Sequence, residues 1–302
     1  MKNTLLLLLT AVLGLATARG DDEEHWATGV TRESGWYDFN KTFVDDANMC
    51  WAAAACNVLA WWQDRNPAPA GYVNAPVGQE VWSTFKASFN NTDGQPEYAW
   101  DWYFTGTTTD ALVLSKLTEY GKTQGGYYRE LLTTTPQYQY SFIMGLRQDF
   151  TDARVYTSAL CGLLDDGYGV TLGIQGMVGG VTYGHALTLW GAEVDQETGV
   201  LSRIWVTDSD DLGDYHEDKL VVLNCSIKQN TTGKTQYITF QSDPLPNGTY
   251  LYPLNEAVLN TFVAVKADAS AWMAYVEPVP EPATGTLSVL ALAGLCARRR
   301  RM

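Results

Sequence analysis

The chain has 302 residues, 46% of them hydrophobic and 18% charged, with a formal net charge of −14. That length and apolar content suffice for a substantial buried core in one large or two small domains. So acidic a surface repels phosphate backbones, which excludes nucleic acid as a partner class.

Met1 to Ala18 carries one lysine, the apolar run Leu5 to Leu15 and an A-x-A site at Ala16-Thr17-Ala18. It reads as a secretory signal peptide over residues 1–18, so the mature protein is expected outside the cytoplasm. Asp21 to Glu24 reads as an acidic, mobile start with His25 exposed beside it. The stretch Gly35 to Asp64 then organises the chain. Asp45, Asp46 and Asn48 are candidate N-caps, Ala52 to Ala55 are strong helix formers, and Pro67 stops the helix at its far end. A cap at Asn48 puts Cys50 in the first turn, where unpaired N–H groups and the helix dipole lower a thiol pKa. Trp51, Val58, Leu59, Trp61 and Trp62 predict a helix buried on most sides. This is the layout of a papain-type nucleophile. The plainer reading of the same pattern is a small buried hydrophobe, and that is the reading for Cys56.

Further helices are predicted over Gly78–Phe89, Asp110–Tyr120 and Asp152–Leu164, with Tyr127, Tyr128, Tyr138 and Tyr140 in loops. From Gly169 the pattern changes to short β-branched and aromatic runs: Val170–Val178, Val181–Trp190, Leu201–Thr207, Lys219–Ile227 and Gln236–Gln241, with a hairpin loop at Asp195–Gly199. Helices first and sheet second predict an α+β fold.

A nucleophilic cysteine needs a base and a group that orients the base. His185 lies on a predicted strand 135 residues beyond Cys50, within the range of about 130–150 that papain-type enzymes use. His216, in an acidic loop, reads as solvated. The strand Ile204–Thr207 runs into Asp208, placed to accept from the His185 Nδ1–H, and Asp210 points to the same side. The pattern D-x-D-x-x-G at Asp208 is no calcium loop, because Leu212 and Lys219 occupy ligand positions. No metal or cofactor is expected. Trp190 stands on the His185 strand, as a cover over the His185–Asp208 contact or as simple core. The five cysteines form no framework and few or none are expected to be bridged.

At the C-terminus, Val279-Pro280-Glu281-Pro282 precedes the apolar Leu287–Ala297 and the basic run Arg298–Arg301. This resembles the PEP-CTERM sorting signal, which implies handling by an exosortase-type processing enzyme and placement at the cell surface or outer membrane, or release.

The blocks GWYDFNKTF, MCWAAA with its preceding acidic pair, N-x-L-x-W-W, GHALTLWGA and WVTDSD resemble, in order, the immunoglobulin-degrading (Mac/IdeS-type) cysteine peptidase family. The resemblance implies a papain-like α+β fold over residues 19–277, with a helical first half, a central nucleophile helix and a mainly antiparallel sheet in the second half. Residues 278–302 form the sorting tail. It implies Cys50 as nucleophile, His185 as general base and acid, Asp208 as orienting carboxylate, Asp210 as support and Lys41 as an oxyanion donor beside the Cys50 N–H. The implied function is a secreted or surface-exposed endopeptidase acting on an extracellular protein, immunoglobulin G or another host glycoprotein. The alternative is a non-catalytic surface module that uses its aromatic residues to hold protein or glycan.

Overall fold

The computed structural model describes residues 22–68, 75–106, 111–117, 125–132, 134–142, 152–178, 181–210, 220–229, 236–243 and 257–268. The expected signal peptide, the sorting tail and the loop with His216 lie outside the described residues. No helix among the described residues is long and apolar enough to cross a membrane.

The expected fold class is corrected by the strand pairing. Strands β3 (Gly169–Val178), β4 (Val181–Asp195), β5 (Val200–Thr207), β6 (Val221–Gln229), β7 (Gln236–Ser242) and β8 (Ala257–Lys266) run antiparallel in the order β4-β3-β8-β7-β6-β5, and β5 pairs back onto β4. The result is a closed six-stranded barrel with few helices, not a papain-like arrangement of a helical half followed by a sheet. Local sequence cannot reveal closure, because each strand pattern is the same in an open sheet and in a barrel. Closure needs bent strands, and bulges supply the bend. The register shifts between Gly173 and Ile174 where β3 meets β8, and between Leu189 and Gly191 where β4 meets β5. The β7–β8 join is the thinnest, a single register pair between Thr239 and Val258.

Two further strands from the first half of the chain extend the barrel. β1 (Glu23–Trp26) takes up β4 at Gly191–Val194, beyond the part that β3 covers, and β2 (Gln137–Phe142) pairs with β8. The acidic start is therefore a strand from Glu23 on, and Tyr138 and Tyr140 are strand residues. His25 is half-buried, its Nδ1 3.0 Å from both carboxylate oxygens of Asp165.

Five helices flank the barrel among the described residues: α1 (Cys50–Arg65), α2 (Gln79–Ser88), α3 (Pro96–Thr105), α4 (Ala111–Lys116) and α5 (Ala153–Asp165). In α1, residues 51 to 63 are all buried. The alanines leave no bulk between backbones, so the helix lies close against β3, β4, α2 and α3. Its tryptophans anchor by their indole N–H groups, Trp61 on Thr28 O at 3.1 Å and Trp62 on Ala267 O at 3.1 Å. Each such side chain contributes roughly 2–3 kcal/mol by burial alone. The sequence pattern missed α3 because PEYAWDWYFT is aromatic on every side. Pro96 sits at its start, and Trp100, Trp102, Tyr103 and Phe104 are all buried, with Trp100 Nε1 donating to Ala55 O at 3.0 Å.

Candidate active site

Helix α1 starts one residue later than the cap expectation required. Met49 is the N-cap residue, without a side-chain hydrogen bond, and Cys50 opens the helix. The first N–H groups of the helix point out of its N-terminal end, where Cys50 stands. Asp46 does not cap. It is fully buried and closes the preceding loop, accepting from Phe43 N at 2.8 Å, Thr42 N at 3.0 Å and Thr42 Oγ1 at 3.2 Å, with Lys86 Nζ 3.6 Å away. That ring of bonds holds Phe43 at φ 60 and fixes the loop that carries Lys41.

All five residues singled out from the sequence come together. Lys41 is buried, its Nζ donating to Ala47 O at 2.8 Å and pairing with Asp210 Oδ1 at 2.5 Å, while its backbone N–H donates to Ser209 O at 2.9 Å. His185 lies on β4 with Nε2 2.6 Å from Asp208 Oδ1 and Nδ1 3.8 Å from Asp210 Oδ2. The ring is thus turned opposite to the expectation. Nε2 faces the aspartate, which leaves Nδ1 on the side away from Asp208. Asp208 is 1% exposed, and its Oδ1 also accepts from Asp210 N at 3.0 Å.

These contacts set the protonation states. Burial pushes the Cys50 thiol up, but the hydrogen bond and charge of His185, a backbone hydrogen bond with Ala186 and the charge of Lys41 together bring it below its ordinary value of 9.0. Burial pulls His185 down, yet Asp208 and the Cys50 sulfur outweigh it and hold the imidazole well above 6.5. Cys56 and Cys161, buried without such partners, are pushed up, Cys161 to about 12. Cys225 is raised to about 12 as well, the nearby Arg203 charge only partly offsetting burial. Cys50, Cys56, Cys161 and Cys225 are free thiols. The pair can therefore rest as thiolate and imidazolium, a ready nucleophile beside a proton donor.

Asn57, which the sequence reading quoted only as the first residue of the N-x-L-x-W-W block and gave no role, ties this site to the barrel. Asn57, 1% exposed in the middle of α1, accepts from Phe39 N at 2.9 Å and donates to Thr188 Oγ1 at 3.0 Å on β4 and Thr207 Oγ1 at 3.2 Å on β5. Thr207 immediately precedes Asp208, and Thr188 follows His185 by three residues. A polar residue within an alanine and tryptophan helix was the available signal. Trp190 is core: its Nε1 donates to Thr207 Oγ1 at 2.9 Å.

His185, Asp208 and Asp210 could each offer one ligand atom, all within 4.8 Å of one another. The Lys41 ammonium on Asp210 already supplies the neutralising cation at that place, so the set reads as an ion-pair network. Cys50 and His185 open onto a cleft of about 640 Å³ between α3 with its preceding turn and strands β3, β4 and β8.

A reactive thiol, a backed imidazole and an open cleft are the equipment of a thiol-dependent acyl-transfer or hydrolysis site. Residues 16–94, which carry Lys41 and Cys50, match the family described as Mac 1, and residues 278–301 match the PEP-CTERM protein-sorting motif. The chain is 26% identical over 204 residues to an IgM protease of Streptococcus suis (strain P1/7), a match covering 59% of this chain and 18% of that protein. Both resemblances read from the sequence thus hold, and the IgM protease is a distant homologue. The chain spans less than a fifth of that relative's length.

Proposed function

We propose that the protein is an exported cysteine endopeptidase that cleaves an extracellular protein, with immunoglobulin as the first substrate class to test. The observation that carries this reading is the Cys50–His185–Asp208 alignment, in which Cys50 is the described cysteine whose thiol is lowered. The Mac 1 match and the IgM protease homologue support peptidase chemistry and an immunoglobulin target, and the PEP-CTERM motif supports export, exosortase handling and a surface location.

In this mechanism the Cys50 thiolate attacks the scissile carbonyl carbon, and the imidazolium of His185 gives its proton to the leaving amine. Asp208 holds the ring through Nε2 and stabilises its charge. The acyl-enzyme is then hydrolysed by a water whose proton His185 takes. The oxyanion of each tetrahedral intermediate accepts from the Cys50 backbone N–H and from Lys41, which has two of its three N–H groups committed to Asp210 and Ala47 O. One such donor is worth on the order of 3 kcal/mol in the transition state. Asp210 steadies Lys41 and His185 together.

The test is incubation of the full chain with intact IgM and IgG beside its Cys50→Ala and His185→Ala variants, with fragments identified by mass spectrometry. A discrete cut present only with the unaltered chain is expected. Cleavage that survives either substitution would remove these residues from the mechanism.

A further inference from the structure

The cleft beside Cys50 is lined by two residues that each carry a buried acceptor without a partner among the described residues. Glu97, on α3, lines it, and its Oε2 is buried without a hydrogen-bond partner among the described residues. Asn260, on β8, lines it too, and its Oδ1 is likewise buried without a partner. α3 and β8 pack against each other. Buried polar atoms are almost always paired, so two lone acceptors in one cleft mark a place where a ligand brings donors.

The charges decide which donors. Asp93 and Glu97 line the cleft, Asp93 paired with Lys116 Nζ at 3.3 Å, and the one basic lining residue among the described residues is His185, already engaged with Asp208. The charge of Lys41 is paired with that of Asp210. The chain as a whole carries −14. Tyr140 adds a half-exposed ring to the same wall, a surface that suits a cation. An uncharged amide would satisfy the acceptors but leave the Glu97 carboxylate, once ionised, without a counter-charge.

Resting on the peptidase reading of this site, we propose that Glu97 and Asn260 form a specificity subsite for a lysine or arginine side chain flanking the scissile bond. Burial pushes the Glu97 carboxyl up to about 7, so the empty subsite gains a full negative charge only as the pH rises through neutrality. Cation binding favours the ionised form. The charged and titratable neighbours are Asp101 and Tyr98 on α3, Tyr138 and Tyr140 on β2, and Asp93 and His185 on the cleft wall. Burial and nearby carboxylates raise both β2 tyrosines, Tyr140 to about 12, so they stay neutral across this window. His185 titration affects every substrate equally and cancels in a comparison of substrates.

The experiment uses the full chain and internally quenched decapeptides in pairs, lysine against norleucine at each position around the cut. The expected result is a preference for lysine of about tenfold to a hundredfold in kcat/KM at one position. It should be carried by KM, grow between pH 6 and 8, and collapse in Glu97→Gln, which keeps the side chain's shape. In parallel, the rate of Cys50 alkylation by iodoacetamide is followed by peptide mapping with L-lysinamide or L-norleucinamide present. Only lysinamide should slow it, and only with Glu97 intact. Peptides cut without basic preference, with no lysinamide protection, would overturn the subsite and leave the peptidase reading standing. A lysine preference that survives Glu97→Gln would overturn the assignment to Glu97. Protection by lysinamide in a protein that cuts no peptide would uphold the subsite and sink the peptidase.

Discussion

Replacing Asn57 by alanine should loosen the whole site from its support. The side chain makes three hydrogen bonds, to Phe39 N, Thr188 Oγ1 and Thr207 Oγ1, worth about 1 kcal/mol each net. The threonines keep other bonds, Thr188 to Ala54 O and Thr207 to Tyr37 O and the Trp190 indole, whereas Phe39 N–H loses the bond it makes to this side chain. The expected destabilisation is therefore about 3–5 kcal/mol, including the buried donor left unpaired. Urea unfolding followed by tryptophan fluorescence should show the midpoint falling by about 1 M or more, at an m-value of roughly 3 kcal/mol/M. Asn57→Asp should do no better, because both threonine hydroxyls already donate elsewhere and cannot serve a carboxylate. At pH 7 in the absence of urea, alkylation of Cys50 should also slow, since β4 and β5 lose their shared tie to α1. A midpoint shift below about 0.3 M would mean that Asn57 is not the tie described.

Wild-type Cys50 should alkylate at a lower pH than an ordinary thiol, and His185→Ala should move the profile up toward the ordinary thiol value of 9.0; an unchanged profile would refute the ion pair. Because the folded pKa of His185 is raised, its contribution to stability is fully present below about pH 6.5 and is lost as pH rises through the folded value. The stability gap between wild type and His185→Ala should accordingly be widest near pH 6 and shrink in alkali, as read by urea titrations across pH. Lys41→Met strips the partner from Asp210 and a positive charge from beside Cys50, and should cost about 1–3 kcal/mol, the Asp210 side chain being 35% exposed. It should also shift the alkylation profile upward, and thermal unfolding at the wild-type temperature would count against the pair. Gly94→Ala would set a Cβ 2.4 Å from the Trp51 ring and should cost about 1–3 kcal/mol by overpacking beneath the cleft, visible as a lowered Tm.

The sequence by itself determined the pieces whose cause is local. The alanine run and Pro67 delimit α1, β-branched alternation marks β3 to β7, and Asp152 caps α5 by accepting from Arg154 N. The candidate set Cys50, His185, Asp208, Asp210 and Lys41, which the structure brings together, was picked out by the blocks that resemble a known family, Lys41 and the supporting role of Asp210 by that resemblance alone. The tertiary structure decided what depends on distant partners. β8 carries an ordinary strand pattern that the sequence reading left out, yet it joins β3 to β7 and completes the ring. β1 is an acidic run that becomes a strand because β4 outlasts β3 and offers it an edge. α3 hides its period because its aromatic residues are spread around the helix, with Trp100, Trp102, Tyr103 and Phe104 all buried. The orientation of the His185 ring follows from which side of β4 the β5 end approaches, and no local signal encodes that. Closure of the barrel is likewise a property of bulges and pairings summed around six strands, which is why a papain-like α+β fold with a mainly antiparallel sheet was read where a ring exists.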